Sequence, residues 1–112
     1  MCTAMTLQSQ SNELFFGRTM DFSHDIIPQL YILPSSYAWH SNLNNNQIRN
    51  SYRFIGLGQE LEGILGFFDG VNEKGFAAAA LYFAGYAQYN TKVHLGTEPI
   101  ASVDFLHYIL GR

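Results

Sequence analysis

Strand-length apolar runs, each closed off by Gly, Pro or Asn, follow one another along this chain with no helical segment between them. That pattern constrains its fold more than any other feature. Residues 2–7 (CTAMTL) and 14–20 (LFFGRTM) flank a polar stretch, Gln8 to Glu13, and this arrangement predicts a hairpin. Residues 29–33 (QLYIL) lie between Pro28 and Pro34, which limits them to a short strand. Tyr37 to His40 and Tyr52 to Leu57 read as further strands. Residues 63–68 and 75–83 flank a turn over Asp69 to Lys74. The run Ala77 to Ala80 has helical propensity, but it is short, lies between Gly75 and Gly85 and precedes aromatics, so strand is expected. Five Asn in the ten residues 41–50 predict a long connection, because Asn bonds locally to backbone and tolerates left-handed dihedrals. One helix is expected near the end. Pro99 and Ser102 are its start signals, Asp104 suits the first turn, Gly111 stops it, and Phe105, Leu106 and Ile109 form its apolar side. Strands first and a helix last, with no βαβ alternation, predict an α+β arrangement, with residues 1–112 making one small domain or a single partial domain, a piece of a larger one.

Composition removes several function classes. Charged residues are 13% of the chain against 47% hydrophobic, the opposite of a disordered segment. The net charge of -3 leaves no basic surplus for phosphates, so no nucleic-acid partner is expected. No apolar run approaches the roughly 20 residues of a bilayer span, so no membrane partner is expected either. The start, MCTAMTLQSQSNELFF, has no basic region, continuous apolar core or cleavage site of a secretory signal. With one free thiol, this places the expected location in the cytoplasm. A single Cys also excludes an intrachain disulfide and any multi-Cys zinc site.

That Cys is the most informative residue. Cys2 follows the initiator Met and is small enough for Met1 to be stripped from it. A mature terminal Cys carries a thiol nucleophile and an α-amino group on one residue. The amine titrates at roughly 7.7–8.0 when unperturbed and suits a general base. Position alone favours an ordinary terminal Cys. The next segment shifts the balance. If residues 2–7 and 14–20 pair, Arg18 folds back towards Cys2, and a guanidinium beside a thiol favours the thiolate. Asp21 would orient and tune the α-ammonium. The plain alternative is a solvated surface Arg and a turn Asp.

The segments MCTAMTL, FFGRTMDF, VNEKGF and LYFAGYAQY, in this order from Met1 to about Tyr89, resemble the choloylglycine hydrolase family. These are N-terminal-nucleophile hydrolases that include bile salt hydrolases and penicillin V acylases. The resemblance implies the amino-terminal portion of a four-layer αββα sandwich, about a third of a usual family member. It implies Cys2 as nucleophile with its α-amino group as base, Arg18 beside the thiol, Asp21 holding the amino group, and Tyr82 as an oxyanion-hole residue acting through its backbone N–H. It implies hydrolysis of a small-molecule amide, a phenoxyacetyl amide or a conjugated bile salt, through a thioester, with no metal or organic cofactor. Full-length relatives are expected to be homo-tetramers. Tyr82 bears on the substrate, since the bile salt branch usually carries Asn there and the penicillin V branch Tyr. The expectation therefore leans to a penicillin V acylase-like amidase, with conjugated bile salt hydrolysis as the alternative. The family's further active-site Asn and Arg lie beyond residue 112, so a truncated chain with exposed sheet edges and apolar faces is expected.

Other signals are weak. His24, His40, His94 and His107 have no metal-ligand spacing. Gly56-Leu57-Gly58 lacks the third glycine of a dinucleotide loop, with Leu61 in its place. Glu60 and Glu62 read as solvated loop acids, and no nucleophile elbow occurs. Two competitors to the amidase remain. One is a non-catalytic module holding an apolar acid on Tyr82, Phe83 and Tyr86; the other is an inactive fragment.

Overall fold

A computed structural model describes residues 1–112. Eight strands and one helix occur in the order β1 (Thr3–Gln8), β2 (Leu14–Thr19), β3 (Gln29–Leu33), β4 (Ala38–His40), β5 (Gln47–Arg49), β6 (Phe54–Leu61), β7 (Ile64–Asn72), β8 (Ala77–Ala79) and α1 (Phe105–Leu110). They form a four-stranded sheet, β3-β6-β7-β8, and two separate two-stranded pairs, β1-β2 and β4-β5. Every pairing is antiparallel. The expected first hairpin is present, with Thr3 opposite Thr19 and Gln8 opposite Leu14. A polar turn closes it, in which Asn12 takes a positive φ of 66°.

The long hairpin β6-β7 runs beyond the expected ends of both its strands, Leu57 and Phe68. Glu62 and Gly63, with φ of 52° and 80°, make the two-residue connection. Positive φ at both central positions is the geometry that matches strand twist. Strand β7 then runs through Asp69 to Asn72, residues expected to be a turn. The next turn is built by Asn72, whose side-chain Oδ1 accepts from the N–H groups of Lys74 and Phe76, 3.0 Å each. Strand β8 covers only three of the residues expected between 75 and 83. Its ladder ends at Ala79, and the C=O of Ala80 accepts from Arg18 instead.

The Asn-rich segment is not a simple connection. Its end forms β5, paired with β4 through Ala38↔Arg49. Ile48 and Trp39 of this pair are buried. A lone Ile among polar residues carries no visible alternation, and pairing with β4 supplies what the local sequence does not signal.

The core comprises Leu33, Phe54, Phe67, Leu106 and Leu110. Helix α1 lies over the four-stranded sheet, and Gly70 admits it: a Cβ there would sit 2.7 Å from Leu110 Cδ1. The helix begins later than expected. Asp104 stands at its N-cap without a side-chain cap bond. Its buried face is Leu106, His107 and Leu110, whereas Phe105 is exposed. Asp104 turns away because its carboxylate accepts from the backbone N–H and the side-chain amide of Asn42. Gly111 ends the helix as expected, and its carbonyl accepts from Ser51 and Tyr52.

Coverage by other layers is incomplete. No residue of β1 or β2 is buried. Met5, Leu7 and Phe15 project from one face of this hairpin, Leu14 and Phe16 from the other, and all five are exposed. Apolar residues on both faces are the signature of a sheet layer meant to be covered twice. The radius of gyration is 15.1 Å, above the roughly 13 Å of a compact domain this size.

Candidate active site around the amino terminus

Pairing of β1 with β2 decides which side chains meet. Ala4 stands opposite Arg18. Side chains two apart on a strand share a face, so Cys2, Ala4 and Arg18 lie on the same side of the hairpin. That side turns towards the four-stranded sheet, where the Phe22 ring contacts Phe68 with centroids 5.7 Å apart.

Cys2 is half-buried. Its Sγ donates to the backbone carbonyl of Asp21 at 3.8 Å. The Asp21 carboxylate accepts from the terminal ammonium, an ion pair as well as a hydrogen bond. The hydrogen bond to Asp21 raises the ammonium above its ordinary range, with the carboxylate's charge adding to it. The same bond lowers the Asp21 carboxyl below its usual value. In this chain the amino group is that of Met1. Removing Met1 moves the terminal nitrogen back by one residue, about 3.8 Å along the chain, onto the residue whose thiol already touches Asp21.

Arg18 is placed differently from a solvated surface Arg. Its side chain is only 6% exposed. Nη1 donates to Phe68 O at 2.8 Å, Nη2 to Ala80 O at 3.2 Å and Nε to Thr19 O at 3.1 Å. Asp69 Oδ2 lies 3.7 Å from Nη1. Three carbonyls and one carboxylate therefore hold the guanidinium. Sequence reasoning missed Asp69, which it assigned to a turn. No signal in the local sequence marked it, because its pairing with Arg18 exists only once the hairpin lies against β7.

Tyr82 lies beyond the end of β8 and is exposed. Its backbone N–H donates to no protein group. No hydrogen bond joins it to Cys2, Arg18 or Asp21; Arg18 approaches its segment through Ala80. Phe83 and Tyr86 stack on each other nearby, with centroids 4.8 Å apart.

An open cleft of about 930 Å³ separates the first hairpin from the four-stranded sheet, with Arg18, Asp69 and Thr6 among mostly apolar walls such as Phe16, Leu30, Ile55 and Val71. No group of three or more His, Cys, Asp or Glu is arranged to hold a metal ion, and no helix is long and apolar enough to cross a membrane. The arrangement offers a thiol, an adjacent terminal amine, a carboxylate oriented on that amine and a buried cation on the thiol's side of the hairpin. These are the parts of an amine-assisted thiol nucleophile.

Comparison with known proteins gives one consistent family. The profile of the linear amide C–N hydrolases, choloylglycine hydrolase family, matches residues 2–112. A bile salt hydrolase/transferase of Clostridium perfringens is 28% identical over 112 residues, all of this chain and 34% of the relative. Another, of Lactiplantibacillus plantarum, is 33% identical over 112 residues, again all of this chain and 33% of the relative. The crystal structure of a C2A mutant of the conjugated bile acid hydrolase from Clostridium perfringens superposes with a TM-score of 0.88 at 27% identity, covering 99% of this chain and 34% of that one. Its R18L variant superposes at 0.84 with 25% identity, covering 96% and 33%. The chain thus spans about a third of the length of these relatives.

Proposed function

This chain belongs to the choloylglycine hydrolase family of linear amide C–N hydrolases, and from that premise we propose that it is the nucleophile-bearing part of a conjugated bile salt hydrolase. The observation that carries the catalytic reading is Asp21: its carboxylate holds the terminal ammonium while its carbonyl accepts the Cys2 thiol. Relatives named bile salt hydrolases support the substrate class, and they favour it over the penicillin V acylase that Tyr82 alone suggested.

With Met1 removed, the α-amine of Cys2 takes the thiol proton. The thiolate attacks the amide carbonyl carbon, and a C–S bond forms as the C–N bond breaks. The leaving amine takes its proton from the α-ammonium. Water, deprotonated by the freed amine, then cleaves the thioester, releases the carboxylic acid and restores the thiol. Arg18 supplies the positive charge on the thiol's side of the hairpin, and Asp21 keeps the amine oriented. The unoccupied N–H of Tyr82 is the proposed oxyanion donor, a contact typically worth about 3 kcal/mol. The other two thirds of a family member supply the remaining active-site groups.

The test is turnover of a glycine-conjugated bile salt beside penicillin V, with mass spectrometry of the terminus. A protein starting at Cys2 that releases glycine and accumulates a Cys2 thioester bears the proposal out. Retained Met1, or turnover that survives Cys2→Ala, overturns it. A preference for penicillin V transfers the proposal to the acylase reading, which Tyr82 favours.

A further inference from the structure

Arg18 is a buried cation, and the way it is held has a consequence for the site. A guanidinium has five N–H donors in a fixed fork. Here three go to the carbonyls of Thr19, Phe68 and Ala80. These carbonyls belong to three different places: the end of β2, the middle of β7 and the first residue after β8. Phe68 O also accepts the N–H of Ala80 at 2.8 Å, so Arg18 and Ala80 meet on one carbonyl. Tyr82 follows two residues later. Arg18 therefore ties the hairpin that carries Cys2 to the start of the segment that carries Tyr82.

Carbonyls orient a guanidinium but do not balance its charge. A charge at 6% exposure needs a counter-charge, because its water has been stripped away. Asp69 is the one carboxylate within ion-pair distance of Arg18, at 3.7 Å and itself only 18% exposed. It is fixed from both sides, since β7 places it opposite Leu57 on β6 and Ala79 on β8. We infer that Asp69 is a positioning residue of the nucleophile site, acting through Arg18: its carboxylate holds the buried guanidinium in the fork that joins the Cys2 hairpin to the Tyr82 segment. The inference rests on the reading of Cys2 as nucleophile.

Cys2 is the single thiol, so the pH dependence of its alkylation by iodoacetamide reports the thiol without any substrate. In Asp69→Asn the guanidinium loses its one counter-charge and leaves its fork, so that its charge lies farther from the side of the hairpin that carries Cys2, and the alkylation midpoint rises by half a unit or more. Asp69→Glu, which restores the charge, returns the midpoint towards the parent. In the Arg18→Leu background Asp69→Asn moves nothing further, because neighbouring residues acting as one unit are non-additive. An unchanged midpoint, a fall, or an equal rise in both backgrounds overturns the inference. Should the variants not fold, the parent chain still decides it. The Arg18 side-chain 15N signal must move along an acid titration with the Asp69 carboxyl, and a signal that stays flat while Asp69 titrates overturns it. Neither readout uses turnover. Retained Met1, or turnover that survives Cys2→Ala, therefore counts against the proposed function, and an uncoupled Asp69 counts against this inference alone.

Discussion

His107 shows how a side chain that looked unremarkable acquires a consequence from its neighbours. Its ring stacks on Trp39 with centroids 4.1 Å apart and meets Phe54 and Phe67 edge-on, 5.3 Å each. The residue is 4% exposed, and its Nε2 has no partner. Burial lowers the imidazole from 6.5 to about 4, with Asp104 opposing only partly. The sign follows. The unfolded chain takes up the proton first, so stability from the neutral ring is complete above about 6.5 and is lost as pH falls towards 4. The loss is of order 3 kcal/mol. Melting temperatures measured across this window should fall for the parent and flatten in His107→Phe, which keeps the stacked aromatic and removes the proton. Leu110, fully buried between helix and sheet, is the apolar counterpart: Leu110→Ala should cost about 2–5 kcal/mol in a denaturant titration.

At the scale of elements, close approach between strands and helix depends on residues without side chains. A Cβ at Gly56 would lie 2.7 Å from Asp69 O and 2.9 Å from Phe67 Cδ1. The Phe67 ring occupies the space that a side chain on β6 would need. Gly56→Ala should destabilise by about 1–3 kcal/mol, the cost of overpacking, and should shift the backbone beside Asp69. Amide exchange at Ala80, whose N–H bonds to Phe68 O, would report that shift. The turn between β7 and β8 was expected too early, from Asp69 onward, for a related reason. Glu62-Gly63 is a compact two-residue turn, while the more conspicuous Asp69-Gly70 dipeptide sits mid-strand, where Gly70 makes room for Leu110. Turn chemistry and packing clearance both select Gly, and only the partner element distinguishes them.

For the molecule as a whole, 15 of 112 residues are buried, too few for a chain this apolar to stand without cover. The first hairpin exposes Leu7, Leu14 and Phe15, each over half exposed. Contiguous apolar faces of this kind drive association. Sedimentation of the 112-residue chain should show concentration-dependent self-association, and Leu14→Lys with Phe15→Lys should reduce it without altering the His107-linked melting profile. A monomer at all concentrations would show that these faces are satisfied within the chain.

The sequence by itself determined the hairpin at the amino terminus, the strand-first order, the helix stop at Gly111 and the family. All of these rest on local turn chemistry, periodicity or ordered motifs. It also identified Cys2, Arg18 and Asp21 as candidates, because a hairpin between residues 2 and 20 brings them to one end. Only the tertiary structure decided that Ile48 lies in a strand, that Asp69 faces Arg18, that Asp104 serves Asn42 rather than its helix, and that His107 lies among aromatic rings. Each depends on a partner from a distant part of the chain. A buried charge or ring takes its properties from whatever displaces its water, and spacing along the sequence does not record what that will be.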